Sequence, residues 1–244
     1  MITPLGHIHQ IVRYPVKSMA GVEANSALLG WHGLQGDRRF AFRRLNDTGG
    51  FPWLSASKLP KLVLYQPMDL DENSDDPVPA RVRTPEGTIF PLTSPELQDR
   101  IAKKFGSAVE LMKLRNGIFD EADVSVIHLS TIAAICREAL QNPDSRRFRA
   151  NIVITSDSTR PFIEDTWVGG RLLFGDGDSP PALAVTMRDL RCMMINIDPG
   201  TGKQDPLVMK TAVRMNENFA GVYGQVIRTG IISVGMPVSL IIEK

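Results

Sequence analysis

The chain has 244 residues, 43% of them hydrophobic, with 28 Lys and Arg against 27 Asp and Glu, and two cysteines. A formal charge of +1 excludes the global basic field of nucleic-acid and anionic-membrane binders, so any basic site must be local. Two cysteines cannot build a disulfide framework, no apolar run reaches the roughly 18 residues of a membrane span, and the opening MITPLGHIHQIVRYPVKS lacks the apolar core of a secretory signal. A reducing, cytoplasmic setting with free thiols is therefore expected, with neither nucleic acid nor a membrane span.

In chain order, Gly6 to Tyr14 reads as a strand stopped by Pro15, which holds Tyr14 extended. Val22 to Leu29 alternates loosely, and GLQGDRRFAFRRL turns at its glycines into a strand with Phe40 and Phe42 on one face. KLVLYQPM reads as a further strand, and the acidic, proline-bearing DLDENSDDPVP as a surface loop. ARVRTPEGTIFPL suits a hairpin turning at Pro85, Glu86 and Gly87. Two helices follow. SPELQDRIAKKFG has Ser94 as N-cap, Pro95 in the first turn and Gly106 past the end; STIAAICREALQN starts at Ser130 and spaces Ile132, Ile135, Cys136 and Leu140 on one face. NIVIT, RLLFG, ALAVTM, MMINID and the run from Gly224 to Ile242 return to strand patterns. Many short strands, few helices and frequent Gly and Pro turns define a mainly β fold with a few helices (α+β), built of barrels rather than a parallel α/β sheet. The domain boundary falls near residue 114, giving an amino-terminal domain over 1–114 and a second over 115–244.

The candidates for chemistry are few. Cys136 lies on the apolar stripe of the second helix, where a thiol behaves as a small hydrophobe. Cys192, in RDLRCMMINIDPGTGK, follows Arg191 and lies near Arg188; positive neighbours favour thiolate, the form that attacks or binds soft metals. From spacing alone it is equally a cysteine packed with Met193 and Met194. His7 and His9 share a strand face, but no third ligand accompanies them, so zinc is weakly supported. GTGK at Gly200 to Lys203 lacks the rest of a nucleotide loop and reads as a turn. Three basic clusters are left: Lys17 with Ser18, Arg38, and the RRFRAN stretch with Arg146, Arg147, Arg149 and Asn151. They would form a phosphate pocket only if the fold brought them together.

YPVKSMAG with GLQGDRRFAF resembles the N-terminal β-barrel domain of MOSC proteins. RRFRANIVI, FIEDTWVGGRLLFGD, RCMMINIDPGTG and GVYGQVIRTGIISVGMPVSL, in that order, resemble the MOSC domain itself. The layout is similar to the amidoxime reducing component and to bacterial proteins that detoxify N-hydroxylated bases. The resemblance implies an N-terminal barrel-like domain plus a MOSC β-barrel, and a molybdenum–molybdopterin cofactor whose metal is held by Cys192. It further implies cofactor contacts from Lys17, Ser18, Arg38, Arg149, Asn151 and Arg191, with Ser125 as a polar contact. Ala150 replaces the proline usual after the FR arginine. The tyrosine that touches the cofactor in the amidoxime reducers aligns with Val226, with Tyr223 out of register.

The function so implied is reduction of small N-hydroxylated or N-oxygenated molecules. Electrons would come from a separate donor, a ferredoxin-like, flavodoxin-like or cytochrome b5-like protein, and its reductase. Asp198 is the candidate proton relay or substrate contact, though a turn-initiating aspartate before Pro199 is the reading its position favours. The alternative function is a sulfur carrier or cofactor-handling protein with a persulfide on Cys192. The pyridoxal-phosphate domain of the sulfurases is not expected in a chain of this size, and neither is that cofactor.

Overall fold

The structure, a computed structural model, describes residues 2–74, 76–117 and 121–242. Seven strands close into a barrel: β1 (Ile2–Arg13), β2 (Val124–His128), β3 (Ile152–Thr155), β4 (Arg171–Phe174), β5 (Ala182–Leu190), β6 (Phe219–Arg228) and β7 (Pro237–Ile241). Their order around the barrel is β3-β2-β6-β5-β4-β7-β1, and β1 returns to pair with β3. The amino-terminal strand thus completes a barrel whose other six strands lie beyond residue 120. Gly6 permits the closure, because a Cβ there would stand 2.0 Å from the Thr155 carbonyl oxygen. Alternating inward residues such as Ile8, Val126, Ile154, Leu172, Val185 and Val222 fill the interior.

Among the described residues there are three α-helices, α1 (Pro95–Phe105), α2 (Leu129–Glu138) and α3 (Pro206–Asn216). The β2–β3 pair is the parallel one, with Val126 opposite Ile152, and α2 is its crossover. Covered on both faces, β2 has five buried residues in succession and no alternation. Helices α2 and α3 share a second core around Ile132, Ile135, Cys136, Phe148 and Val208. The amino-terminal lobe holds a third, formed by α1, the strand pair Phe40–Arg44 and Val109–Lys113, and the meander Gln66–Leu70, Pro79–Arg83, Ile89–Pro91. The mainly β, barrel-based architecture is as the sequence pattern implied. So are the hairpin at 84–88, where Gly87 N–H donates to Thr84, and the Ser94 cap and left-handed Gly106 of α1.

Four local expectations are corrected. Pro60–Leu64 is a 3-10 turn, and the strand starts only at Gln66. MMINID is not a strand: Met193–Asn196 is another 3-10 turn, which places Ile195 in the core of α2 and α3 and Ile197 in that of the amino-terminal lobe. Helix α2 begins at Leu129, one residue before Ser130, with the His128 ring accepting from Ser130 N–H (3.3 Å) as its cap. Helix α3 was not anticipated, although Asp205 capping Leu207 N–H (2.9 Å) and Pro206 in the first turn are ordinary start signals.

Glu164 is fully buried at the start of α2, accepting from His128 N–H (3.4 Å) and Thr131 Oγ1 (2.8 Å). Burial outweighs these hydrogen bonds and pushes its carboxyl up from 4.5 to about 7. The unfolded chain ionises at the lower value, so this group's contribution to stability is complete below pH 4.5 and is lost as the pH rises to about 7. The loss is about 3 kcal/mol, at about 1.4 kcal/mol per pH unit. Glu164→Gln is expected to flatten the dependence of Tm on pH across that window. An unaltered slope in the variant would show that another group titrates there.

Candidate functional site

Leaving β1, the chain turns alongside 37–40: Arg38 N–H donates to Tyr14 O (2.9 Å) and Lys17 N–H to Phe40 O (2.8 Å). That turn meets the segment entering β3 and the one leaving β5, so residues as far apart in the chain as Lys17 and Tyr223 share one cleft. The cleft has a volume of about 470 Å³ and is lined by Lys17, Ser18, Arg38, Ser125, Arg149, Arg191 and Cys192 among others. Its walls carry five basic side chains, those named and Arg147, against the acids Glu121 and Asp189. Convergence, which spacing could not establish, is what gathers three ordinary basic clusters into one positively charged surface.

Tyr14, missed in the sequence, organises the cations. Its buried ring lies under the guanidinium of Arg149 at 4.2 Å and that of Arg38 at 5.4 Å, and burial pushes its phenol up to about 12 despite both arginines. Arg38 is fixed by an ion pair to the buried Asp37, by Asn151 Oδ1 (3.2 Å) and by Arg149 O (3.4 Å). Arg149 donates to Met19 O (2.7 Å), and the Lys17 ammonium lies 5.3 Å from the Phe51 ring. Ser18, Arg38 and Arg149 all have left-handed backbones, with φ of 67°, 45° and 52°. For side chains of this size each costs about 1–3 kcal/mol, and such conformations persist where surrounding structure enforces them, typically at binding sites. Sequence offered one signal for Tyr14, its place just before Pro15.

Two of the expected contacts stand behind the wall. Asn151 is not among the cleft-lining residues: it accepts from Arg38 and from Ser125 N–H (3.2 Å) and donates to Val12 O (3.2 Å), tying three segments together. Arg191 touches the cleft, but its guanidinium turns inward to Ala220 O (2.6 Å), Phe148 O (2.6 Å) and the buried Asp189 (2.9 Å). Asp189 in turn accepts from Ser125 Oγ (2.8 Å). Room for this guanidinium comes from Gly221, with φ of 89°, where a Cβ would lie 2.9 Å from Nη2. Arg191 therefore anchors the end of β5, and Cys192 follows it out to the surface.

Cys192 is exposed at the start of the Met193–Asn196 turn, while Cys136 is buried and its thiol pushed up by that burial. Helix α3 buttresses the turn, with Met209 N–H donating to Asn196 Oδ1 and Asp205 N–H to Asn196 O (2.9 and 2.8 Å). Asp198 does not join the cleft. Its carboxylate accepts from Gly200 N–H (3.0 Å), Thr201 N–H (2.8 Å), Thr201 Oγ1 (3.0 Å) and Arg147 (2.8 Å). Burial raises its pKa, but these hydrogen bonds and Arg147 outweigh it and hold the group below the usual carboxylate range. These bonds hold its own turn, outside the cleft lining. Arg188 likewise leaves the cleft, stacking on Phe219 at 3.9 Å. Tyr223 lines the cleft, whereas Val226 faces the barrel core. His7 and His9 join no metal-binding cluster among the described residues, and no helix there is long and apolar enough to cross a membrane.

Fold and cleft together define a β-barrel protein with an accessory lobe and an exposed thiol at a basic pocket. The chain belongs to the MOSC-domain family: residues 5–142 match the MOSC N-terminal beta barrel domain and residues 113–239 the MOSC domain, which is associated with molybdenum-cofactor-related proteins. The YUAD protein from Bacillus subtilis has a similar fold, with a TM-score of 0.53 at 14% identity over 100% of this chain and 98% of that one. YiiM from Geobacillus stearothermophilus aligns over 49% of this chain and 54% of its own, with a TM-score of 0.35 and 13% identity; YiiM from Escherichia coli aligns over 50% and 55%, with 0.36 and 13%. No curated protein matches the sequence significantly.

Proposed function

We propose that the protein is a molybdenum-dependent reductase of small N-hydroxylated or N-oxygenated molecules. The observation that carries this reading is the pairing of an exposed cysteine with a cleft whose lining brings together Lys17, Arg38 and Arg149. The donor set fits a pterin-bound molybdenum. Thiolate is a soft ligand suited to such a metal, and the Lys17, Arg38 and Arg149 cations suit the terminal phosphate of the pterin. When bound, that cofactor would supply the two-electron oxygen-atom transfer that breaks an N–O bond.

The chain itself anchors and orients. Cys192 would hold the metal, Arg149 and Arg38 the phosphate, and Ser18, Ser125 and Tyr223 offer hydroxyls along the cleft. Overall, R–NH–OH, two electrons and two protons yield R–NH2 and water, and a separate donor protein would deliver the electrons. Exposure of Cys192 also favours a second reading, a sulfur carrier, since a persulfide must be reachable to be passed on. Protein from a molybdenum-replete host tests the two. Near-stoichiometric molybdenum with an oxidisable, fluorescent pterin supports the reductase; metal-free protein with cyanide-labile sulfur on Cys192 supports the carrier.

Arg149 gives the cleanest test of the cradle. Arg38→Ala would strip buried Asp37 of its ion-pair partner and so cost folding stability as well. Arg149→Asn keeps a residue tolerant of left-handed backbone and removes the guanidinium. A charge-assisted contact is typically worth about 1.5–3 kcal/mol, so cofactor retention on dialysis is expected to weaken about 10- to 100-fold. Unchanged molybdenum content after dialysis would make Arg149 a bystander.

A further inference from the structure

Behind the wall of the thiol cleft lies a second one, of about 410 Å³, between the barrel and the amino-terminal lobe. Arg147, Arg149 and Met194 line both. Its other walls divide by character. Val22, Pro67 and Ile197 offer apolar surface, Gln66 an amide, and Glu23 a carboxylate that accepts from Gln10 Nε2 (2.7 Å). The basic end includes Arg147, which is 4% exposed. Its Nη2 pairs with Asp198 (2.8 Å) and reaches Gln141 Oε1 (3.2 Å), but Nε and Nη1 find no hydrogen-bond acceptor among the described residues. A buried cation with two unmatched donors is a costly arrangement that an anion in the adjoining space would relieve.

We propose that this second cleft binds an organic phosphate of mononucleotide size, with the phosphate drawn to Arg147 and Arg149 and the ring against Val22, Pro67 and Ile197. The volume suits a ligand of that class. Arginine forks match phosphate oxygens, and a ring with polar edges fits an apolar wall ending in an amide. Such a group could arrive in two ways, as a free nucleotide or as the nucleotide tail of an extended pterin cofactor. The first stands without the molybdenum reading; the second rests on it.

Two measurements on the full chain separate these sources. Calorimetric titration of protein from a molybdenum-depleted host with GMP, CMP, AMP and inorganic phosphate reads the free ligand. Acid hydrolysis of protein from a replete host, followed by chromatography, reads any nucleotide released per pterin. At least one mononucleotide should bind saturably, with affinity reduced at least 10-fold by Arg147→Gln and by Val22→Asp. Val22 lies outside the thiol cleft, so V22D should keep wild-type molybdenum content if the ligand is a free nucleotide and lower it if the ligand is the cofactor's tail. Arg147→Lys, which keeps a cation beside Asp198, covers the case in which R147Q does not fold, and it should weaken binding by losing the fork. Stoichiometric nucleotide release identifies the cofactor tail, and binding without release identifies a free nucleotide. Neither release nor saturable binding, binding of inorganic phosphate alone, or binding indifferent to Val22→Asp overturns the proposal. Absence of molybdenum from wild-type protein would instead remove the reductase reading and leave nucleotide binding standing.

Discussion

Cys192→Ala is expected to abolish molybdenum retention and N-oxide reduction together, while Cys136→Ala leaves both nearly intact. The contrast follows from placement. Cys192 is exposed at the cleft, whereas Cys136 is sealed between α2, Phe148 and α3, where it can reach no ligand. Because Cys192 is exposed, its truncation should alter folding stability by no more than about 0.5 kcal/mol, so loss of metal cannot be ascribed to loss of fold. Metal content by mass spectrometry, pterin fluorescence after oxidation and thermal unfolding on the same preparations are sufficient. Retained metal in the Cys192 variant, or its loss in the Cys136 variant, would mean that the thiol roles are misassigned. Oxygen-ligating Cys192→Ser should not rescue, since a hydroxyl is a poor substitute for a soft thiolate.

The largest loss of stability is expected from Arg191→Met. Its side chain joins β5, β6 and the segment before β3, and it neutralises Asp189, which is 1% exposed. Removing the guanidinium deprives a buried carboxylate of its ion-pair cation, a cost of about 3–5 kcal/mol. Two buried carbonyls, of Phe148 and Ala220, would lose their donor as well. Urea denaturation should show a lower midpoint at similar slope, and Arg191→Met combined with Asp189→Asn should recover part of the loss. A change below about 1 kcal/mol would contradict the anchoring role. Where the variant still folds, its molybdenum content should fall, because the residue that precedes Cys192 would no longer fix the end of β5.

Much of this protein is written in short-range pattern. Period-two apolar residues, Pro15, the Ser94 cap and the Gly and Pro turns define a mainly β chain, because strand alternation and turn chemistry are local properties of the backbone. The ordered blocks from YPVKSMAG to RCMMINIDPGTG suffice to place the chain among MOSC proteins and to single out Cys192 from Cys136. The errors fall where burial overrides local preference. MMINID has the composition of a strand, but Ile195 and Ile197 must reach two different cores, and only a tight turn points them apart.

What residue types and spacing could not supply was direction and company. Asp198 and Arg191 look like site residues beside the cysteine, yet one carboxylate closes its own turn and one guanidinium points into the barrel wall. Asn151 has the expected identity and acts one layer behind the cleft. Tyr14, whose ring gathers Arg38 and Arg149, is marked in the sequence only by its place before Pro15. The class of fold and the contrast between the two cysteines were legible because they rest on neighbours along the chain. The basic cleft was not, since it exists only after β1 has paired with β3, about 145 residues away at Ile8 and Ile154, bringing cations into proximity that no local pattern encodes.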